Sequence, residues 1–435
     1  MTMSATGLEA VGVDAARYPL LPGATPLHIV RTEGRHVVAD DGRRILDAGG
    51  GAIVANIGYG RPEIADVAAR AMRDITFVLP TWATDARLAL VRRVVDEWMP
   101  EGITRAQFTC GGSEAVDTAL RLARQHHVSA GRDSRWRVIG RRPSYHGATL
   151  STLAVAGHDA RREPFLPMFP DFPQVPWDDA DALDALIREL GADSVAAFIA
   201  EPVVGSSAGC LVADQAYWDR VSDICSEHGV LLIVDEVMTG FGRTGLRMGS
   251  DHYGLRPDIL VGGKGLAGGY AAIGGVFATE AVVAPIASAG DSFMFFTYGA
   301  QDVSCAVADA VLRTIDDEDL VVRADTQGAA LRARLEARLG DHPNVGSVRG
   351  LGLMLGVELV ADRDGPVLFP IDEQVYRTVS AEALRRDVWI YPASSGPAGP
   401  DAVMFGPAFT VTDDELDTMV DVLAASIDAA VSARA

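Results

Sequence analysis

Two uncharged runs of strand length, Val-Ala-Ala-Phe-Ile-Ala at 195–200 and Val-Leu-Leu-Ile-Val at 230–234, constrain this chain more than any other feature. A segment with no polar face must be covered on both sides, which is the condition of a strand inside a parallel sheet. Between the two runs, residues 213–228 read as a helix, and Gly229 is placed to stop it. The alternation continues on the N-terminal side, where Val116, Ala119, Leu120 and Ala123 recur at helical spacing within 113–127 and residues 136–140 read as another strand. The expected fold class is α/β, a large domain with a mostly parallel sheet flanked by helices. From about Asp325 the pattern changes to helix, two short strands within 345–359, helix, strand, and a last amphipathic helix from Thr412. That change predicts a second, smaller α+β domain.

Charge removes several function classes. Against 59 acidic residues stand 38 basic ones, a formal net charge of −21, which disfavours any protein that gains affinity by neutralising nucleic-acid phosphates or anionic lipid. With 48% hydrophobic and 22% charged residues the chain is expected to bury a large core. Nothing approaches the roughly 18 consecutive apolar residues of a membrane helix, and no basic-then-apolar stretch opens the chain. Cys110, Cys210, Cys225 and Cys305 lie far apart with no CxxC, unlike a zinc site or a disulfide framework. The expectation is a cytoplasmic protein without nucleic-acid or membrane partners.

One residue count carries the chemistry. Lys264 is the only lysine, so the other 37 basic side chains are arginines. Arginine supplies charge but not a neutral nucleophilic amine, because its guanidinium stays protonated. Lys264 follows the apolar run Asp258-Ile-Leu-Val-Gly-Gly and precedes Gly-Leu-Ala-Gly-Gly269, a strand end with glycines on both sides where a flat ligand can approach. The neighbouring run ends in Asp235, and carboxyl ends of adjacent strands form the crevice where open α/β sheets bind ligands. A third element is the turn Phe108-Thr-Cys-Gly-Gly-Ser113-Glu-Ala115, whose glycines and serine at a helix start suit a phosphate, though they also suit an ordinary serine cap. Phosphate cradle, buried acid and one cleft lysine together point to pyridoxal phosphate, whose aldehyde condenses with an amine and whose protonated ring takes up electrons.

At these residues the chain resembles the class III aminotransferases, pyridoxal phosphate enzymes of fold type I, and within them the ω-transaminase group. The motifs are Gly111-Gly-Ser-Glu-Ala115, Ser144-Tyr-His-Gly147, Glu201-Pro-Val203, Asp235-Glu-Val-Met-Thr-Gly-Phe-Gly-Arg-Thr-Gly245, Gly263-Lys-Gly265, Phe296-Thr-Tyr-Gly299 and Val348-Arg-Gly-Leu-Gly352. The resemblance implies that Lys264 carries the cofactor and Asp235 pairs with its pyridine nitrogen, with Tyr145 on one face of the ring and Val237 on the other. It implies that Gly112 and Ser113 hold the phosphate, joined by Thr297 of the partner subunit in a homodimer with shared sites. His146 and Glu201 complete the implied cofactor set, and the pyridoxamine phosphate form is implied during turnover. The implied division is a large domain at 61–320 and a small one from 1–60 and 321–435.

The pattern is broken at Gly111, where relatives have serine, at Met238, where glutamine is frequent, and at Tyr298-Gly-Ala-Gln-Asp302 after Thr297. Many relatives carry an arginine shortly before the final helix to grip a substrate carboxylate, and here no Arg or Lys occurs between Arg386 and Arg434. The candidate substrate-pocket residues are Trp82, Tyr298 and Arg349; the pocket is expected to prefer donors without an adjacent carboxylate, the alternative being that Arg349 or another arginine swings in to serve an ordinary amino acid. The implied reaction is ping-pong transfer of an amino group from an amine or ω-amino donor to a keto acid or other carbonyl acceptor. Aminomutase, racemase, decarboxylase and α-amino acid transaminase chemistry remain open alternatives at this point.

Three motifs are weighed and set aside. Gly240-Phe-Gly-Arg-Thr-Gly245 matches a dinucleotide fingerprint but precedes no helical pattern, and Gly205-Ser-Ser-Ala-Gly209 matches a nucleophile elbow but precedes an extended one. The pair His126-His127 is read as a cationic helix cap rather than a metal ligand, and no metal is expected.

Overall fold

The computed structural model describes residues 27–167, 172–365, 367–394, 401–432 and 434. A seven-stranded sheet runs through it in the spatial order Ile103–Thr109, Gly274–Thr279, Ile259–Gly262, Leu231–Asp235, Val195–Ala200, Arg137–Arg142, Gln174–Pro176. Every neighbouring pair is parallel except those made by Gly274–Thr279, which runs against both its neighbours.

The apolar runs are strands because both of their faces find cover. Ala197 and Ile199 point to the cluster built with Ala115, Val116, Ala119 and Ala123 of the helix Gly112–Ser129. Phe198 and Ala200 point the other way, to Leu183 and Ile187 of the helix Ala180–Leu190 and to Trp218, Val221 and Ile224 of the helix Gln215–His228. Each fully covered Val, Ile or Phe stabilises by about 1.5–3 kcal/mol, and the whole strand Val195–Ala200 is inaccessible to solvent. Local signals agree with this packing. Asp214 caps Gln215–His228 by accepting from the Tyr217 amide at 2.8 Å, and Gly229 ends the helix in the left-handed region at φ +60°.

A second sheet, antiparallel, joins Val345–Leu351, Met354–Leu359, Asp401–Phe405 and Tyr391–Ala393 in that order. A third contains Ile29–Glu33, His36–Ala39 and Arg44–Asp47, and Val388–Trp389 adds to its edge in parallel with Arg44–Asp47. Strands from distant parts of the sequence thus share one sheet. The helix Asp413–Ser432 lies along Leu320–Leu339. All four cysteines are free, and no helix among the described residues is long and apolar enough to cross a membrane.

The two decoy motifs have the local structure expected of decoys. No helix opens after Gly245, where the chain turns until the short 3₁₀ segment Gly249–Tyr253, and Gly205–Gly209 leads into the extended pair Leu211–Val212. The histidine pair corrects the expectation. His126 and His127 are buried, not solvated cations at a helix end. The ring of His126 bonds the Val282 carbonyl at 2.9 Å and that of His127 bonds the Ala196 carbonyl at 3.0 Å, while burial pushes His127 down to about 4. His127 ties the helix to the sheet and His126 ties it to the helix Glu280–Ser288, both as neutral rings, since a charged ring there would lose its hydration.

Candidate active site

Asp235 is the last residue of its strand. Continuing the alternation Leu231, Ile233, Asp235 puts its carboxylate on the face covered by Gly112–Ser129. It is 3% exposed and held from two sides, Oδ1 accepting from the Val237 amide at 3.0 Å and Oδ2 from Nδ1–H of His146 at 2.8 Å. His146 is itself buried, and its Nε2 has no partner among the described residues. An acid oriented this firmly at a strand end is arranged to face a ligand.

Glu201 closes the floor beside it. Its Oε1 accepts from the Tyr145 amide at 3.4 Å, its Oε2 is buried without a partner among the described residues, and burial pushes its pKa up to about 7. The nearby charge of Asp235 adds to that rise, while His146 and Arg141 oppose it. Arg141, also buried, donates to the Glu201 and Trp177 carbonyls and lies against the Trp218 ring. The acid next to Asp235 serves a different purpose. Glu236 is fully buried and accepts from the Gly249 amide at 2.9 Å, the Ser250 amide at 2.7 Å and the Thr239 hydroxyl, which fixes the loop that follows the strand.

Lys264 emerges two residues beyond the strand Ile259–Gly262 with φ +39°, a left-handed conformation that costs a non-glycine residue about 1 kcal/mol or more. Bonds from the Ala267 and Gly268 amides to its carbonyl hold that turn, and Asn56 Nδ2 grips the next carbonyl, that of Gly265, at 2.9 Å. The side-chain amine is desolvated, which lowers its pKa from 10.5 to about 8. Asp235 and Glu201 work against that shift, and the positive charges of Arg243 and Arg161 reinforce it. In the cofactor-free protein the Lys264 amine should therefore react with an amine-directed acylating reagent at half its limiting rate near pH 8, read by peptide mapping. An inflection near 10.5 would mean the amine is not desolvated.

The helix start supplies the third part. Gly111 occupies the cap position without any side-chain cap, and Ser113 lies within the first turn, so the serine is not the cap that one reading of the sequence allows. Its Oγ accepts from the Ala148 amide at 3.1 Å, and Glu114 turns back to the Cys110 amide at 2.8 Å. A Cβ on Gly111 would meet nothing within 4 Å, so open space lies before uncapped N–H groups, as an anion requires. Gly112 has the opposite surroundings, since a Cβ there would come within 2.8 Å of Val237 Cγ1. Gly263 in turn lies against Val237 and Gly112, with its own virtual Cβ at 3.4 and 3.5 Å from them. Glycines at 112 and 263 let the helix start, the acid-bearing loop and the lysine-bearing loop touch.

The other expected site residues are exposed or otherwise engaged. Trp82 is 59% and Tyr298 64% exposed, Thr297 is exposed beside it, and the rings of Phe77 and Tyr298 meet at 6.1 Å. Arg349 is bonded to the Gly209 carbonyl at 2.8 Å and the Ala208 carbonyl at 2.6 Å, and paired with Glu358 at 3.2 Å, so it holds a loop to the small sheet. Sequence reading missed Asn56, Arg141, Glu236 and Arg161. Only Glu236 had a local signal, its place beside Asp235 at the strand end.

Comparison with known proteins agrees with this architecture. Residues 22–427 match the aminotransferase class-III family. The chain is 34% identical over 423 residues to the hypotaurine/taurine–pyruvate aminotransferase of Paracoccus denitrificans, covering 92% of this chain and 90% of that one. It is 33% identical over 353 residues to the putrescine–pyruvate aminotransferase of Pseudomonas aeruginosa, 77% of each. The crystal structure of an (S)-enantioselective omega-transaminase from Thermomicrobium roseum superposes with a TM-score of 0.91 at 33% identity, over 99% of this chain and 100% of that one. An omega-transaminase from Pseudomonas jessenii in complex with PMP gives 0.88 at 28% identity, over 94% of each. The chain belongs to the class-III aminotransferases, with the fold type I architecture of that family. It is an aminotransferase whose structural neighbours are omega-transaminases, and the family uses pyridoxal phosphate.

Proposed function

We propose that this enzyme transfers an amino group from a primary amine or ω-amino donor to a keto acid in a ping-pong cycle on pyridoxal phosphate, which leaves the first half-reaction as pyridoxamine phosphate. The residues fit the cofactor. The buried, doubly held carboxylate of Asp235 would suit a ring N–H, the uncapped helix start with Ser113 would suit its phosphate, and Lys264 Nζ is a desolvated amine with no hydrogen bond of its own among the described residues. Bound there, pyridoxal phosphate supplies an aldehyde that accepts an amine and a cationic ring that holds the electron pair released at the substrate carbon.

Each side chain then has a stated task. Asp235 holds the ring N–H through a carboxylate oxygen, and His146 keeps that carboxylate aimed. Tyr145 and Val237 would bracket the ring, and Gly112 and Ser113 would take the phosphate with Thr297 of the second subunit. Lys264 Nζ, neutral above about pH 8, removes and returns the proton at the substrate carbon, general-base work worth about 10²–10⁴-fold.

The observation that carries the donor class is the missing cation. No Arg or Lys stands between Arg386 and Arg434, and Arg349 is engaged elsewhere, so nothing in that stretch grips a carboxylate next to the reacting carbon. The relatives named for putrescine or taurine with pyruvate support the same reading. We expect kcat/KM for an arylalkyl amine or an ω-amino compound to exceed that for alanine. A tenfold preference for the α-amino acid, about 1.4 kcal/mol in transition-state binding, rejects the donor class.

The same proposal includes a homodimer. Exposed Phe77, Leu79, Trp82, Met294, Phe295 and Tyr298 cluster around Thr297 in sequence or by ring contact, an apolar surface suited to a second copy. Sedimentation should give two copies per active particle, and an active monomer would end the shared-site idea. We place the domain boundaries at 61–320 against 1–60 with 321–435, of which residues 1–26 lie outside the described ones. Four free cysteines support a reducing, cytoplasmic setting.

A further inference from the structure

A keto acid brings a carboxylate to the site, and the arginines already described are engaged. Arg141 donates to the Glu201 and Trp177 carbonyls, Arg243 to the Leu353 and Pro407 carbonyls, and Arg349 to Gly209, Ala208 and Glu358. Arg161 differs. Its side chain is exposed, makes no hydrogen bond or ion pair among the described residues, and lies with its guanidinium carbon 4.4 Å from the centroid of the Tyr145 ring.

The turn that carries Arg161 is fastened on both sides of it. Asp159 is paired with Arg142 at 2.6 Å, and buried Arg162 bonds the side-chain oxygen of Gln174. The residue between these anchors is therefore placed by its neighbours rather than by a partner of its own. Stacking on a phenol ring satisfies the flat faces of a guanidinium and leaves its N–H edges free, which is the geometry for a two-point grip on a carboxylate. Tyr145 adjoins His146 in sequence, and the His146 ring holds Asp235, so the ring beneath Arg161 is carried by the same segment as the partner of that acid. Its positive charge reaches the Lys264 amine, where it is one of the two arginines that favour the neutral form.

We propose that Arg161 receives the carboxylate of the keto-acid acceptor, an inference that rests on the amine-to-keto-acid reading above. It separates the two half-reactions, because an amine donor without a carboxylate has nothing to offer this guanidinium. The absence of an arginine before the last helix is then compensated from the other side of the site, at Tyr145.

The test uses the cofactor-loaded full-length enzyme and its Arg161→Leu and Arg161→Lys variants, with the half-reactions followed separately by absorbance. For Arg161→Leu, kcat/KM for pyruvate should fall roughly 10- to 100-fold, the size of a lost charge-assisted bond, with most of the change in KM. Inhibition by propanoate, a carboxylate without a reactive carbonyl, should weaken by a similar factor, and Arg161→Lys should recover part of both. Compared on the pH plateau above the Lys264 inflection, where loss of the Arg161 charge no longer changes the fraction of neutral amine, the amine half-reaction and reaction with an aldehyde acceptor should change less than about threefold, because neither substrate offers a carboxylate to this side chain. Equal losses with pyruvate and aldehyde, no loss with either, or weakened cofactor retention would each overturn the proposal. The amine half-reaction of the unaltered enzyme tests the parent reading separately, since its absence would reject the donor class whatever Arg161 does.

Discussion

Lys264→Ala abolishes turnover, by about 10⁴-fold or more, because it removes both the amine that anchors the cofactor and the base that moves the substrate proton. The loss is not one of folding. Desolvation lowers the amine's pKa to about 8, so at pH 7 the folded state carries a buried positive charge that the unfolded state would hydrate freely. The sign follows from the two protonation states. Below about pH 8 the lysine is charged in both states and its burial is opposed in full, whereas between about 8 and 10.5 the folded protein has released the proton and the unfolded chain has not. Wild-type stability gains over that window. In the cofactor-free form at pH 7, Lys264→Ala should therefore melt no lower than wild type, and any advantage should shrink as the pH rises to 10.5. A variant that is inactive because it is unfolded would contradict this.

The second large effect is expected at Asp235. Asparagine is nearly the same size, but it offers one acceptor oxygen where the carboxylate offers two, and both carboxylate oxygens are in use. Asp235→Asn gives up either the Val237 amide or the His146 N–H unless the imidazole moves its proton to Nε2 and accepts from the new NH2, so the loss in stability is at most about 1–3 kcal/mol. Catalysis should lose more, roughly 10²–10³-fold or beyond, because an amide cannot hold a ring nitrogen in its cationic form. Circular dichroism and a thermal melt check the first figure, and steady-state rates at saturating cofactor check the second. Near wild-type turnover would remove the carboxylate from the mechanism.

How much of this was legible beforehand depended on how local each signal was. The strand Val195–Ala200, the helix end at Gly229 and the pair Val345–Leu351 and Met354–Leu359 follow from apolar periodicity and from glycine, which act over a few residues. Lys264 was conspicuous because its type occurs once, and Asp235 because an acid ends an apolar run. The histidine pair was misread because its position at a helix end is local, whereas its burial depends on Ala196 and Val282, which are 69 and 156 residues away. Asn56 beneath the lysine turn and the carbonyls that engage Arg349 are similarly remote, being 209 and about 140 residues from their partners. Arg161 had no signal among 37 arginines. Its distinction is the place of its guanidinium over the Tyr145 ring, which only the folded chain displays.

The central claim is that one lysine at the end of one strand carries the cofactor, and it can be tested on a single peptide. Borohydride reduction of the cofactor-loaded enzyme, followed by proteolysis and mass mapping, should place the phosphopyridoxyl label on the peptide containing Lys264 and nowhere else. A loaded protein that releases its cofactor intact after reduction, or a label on a peptide lacking Lys264, would contradict the account.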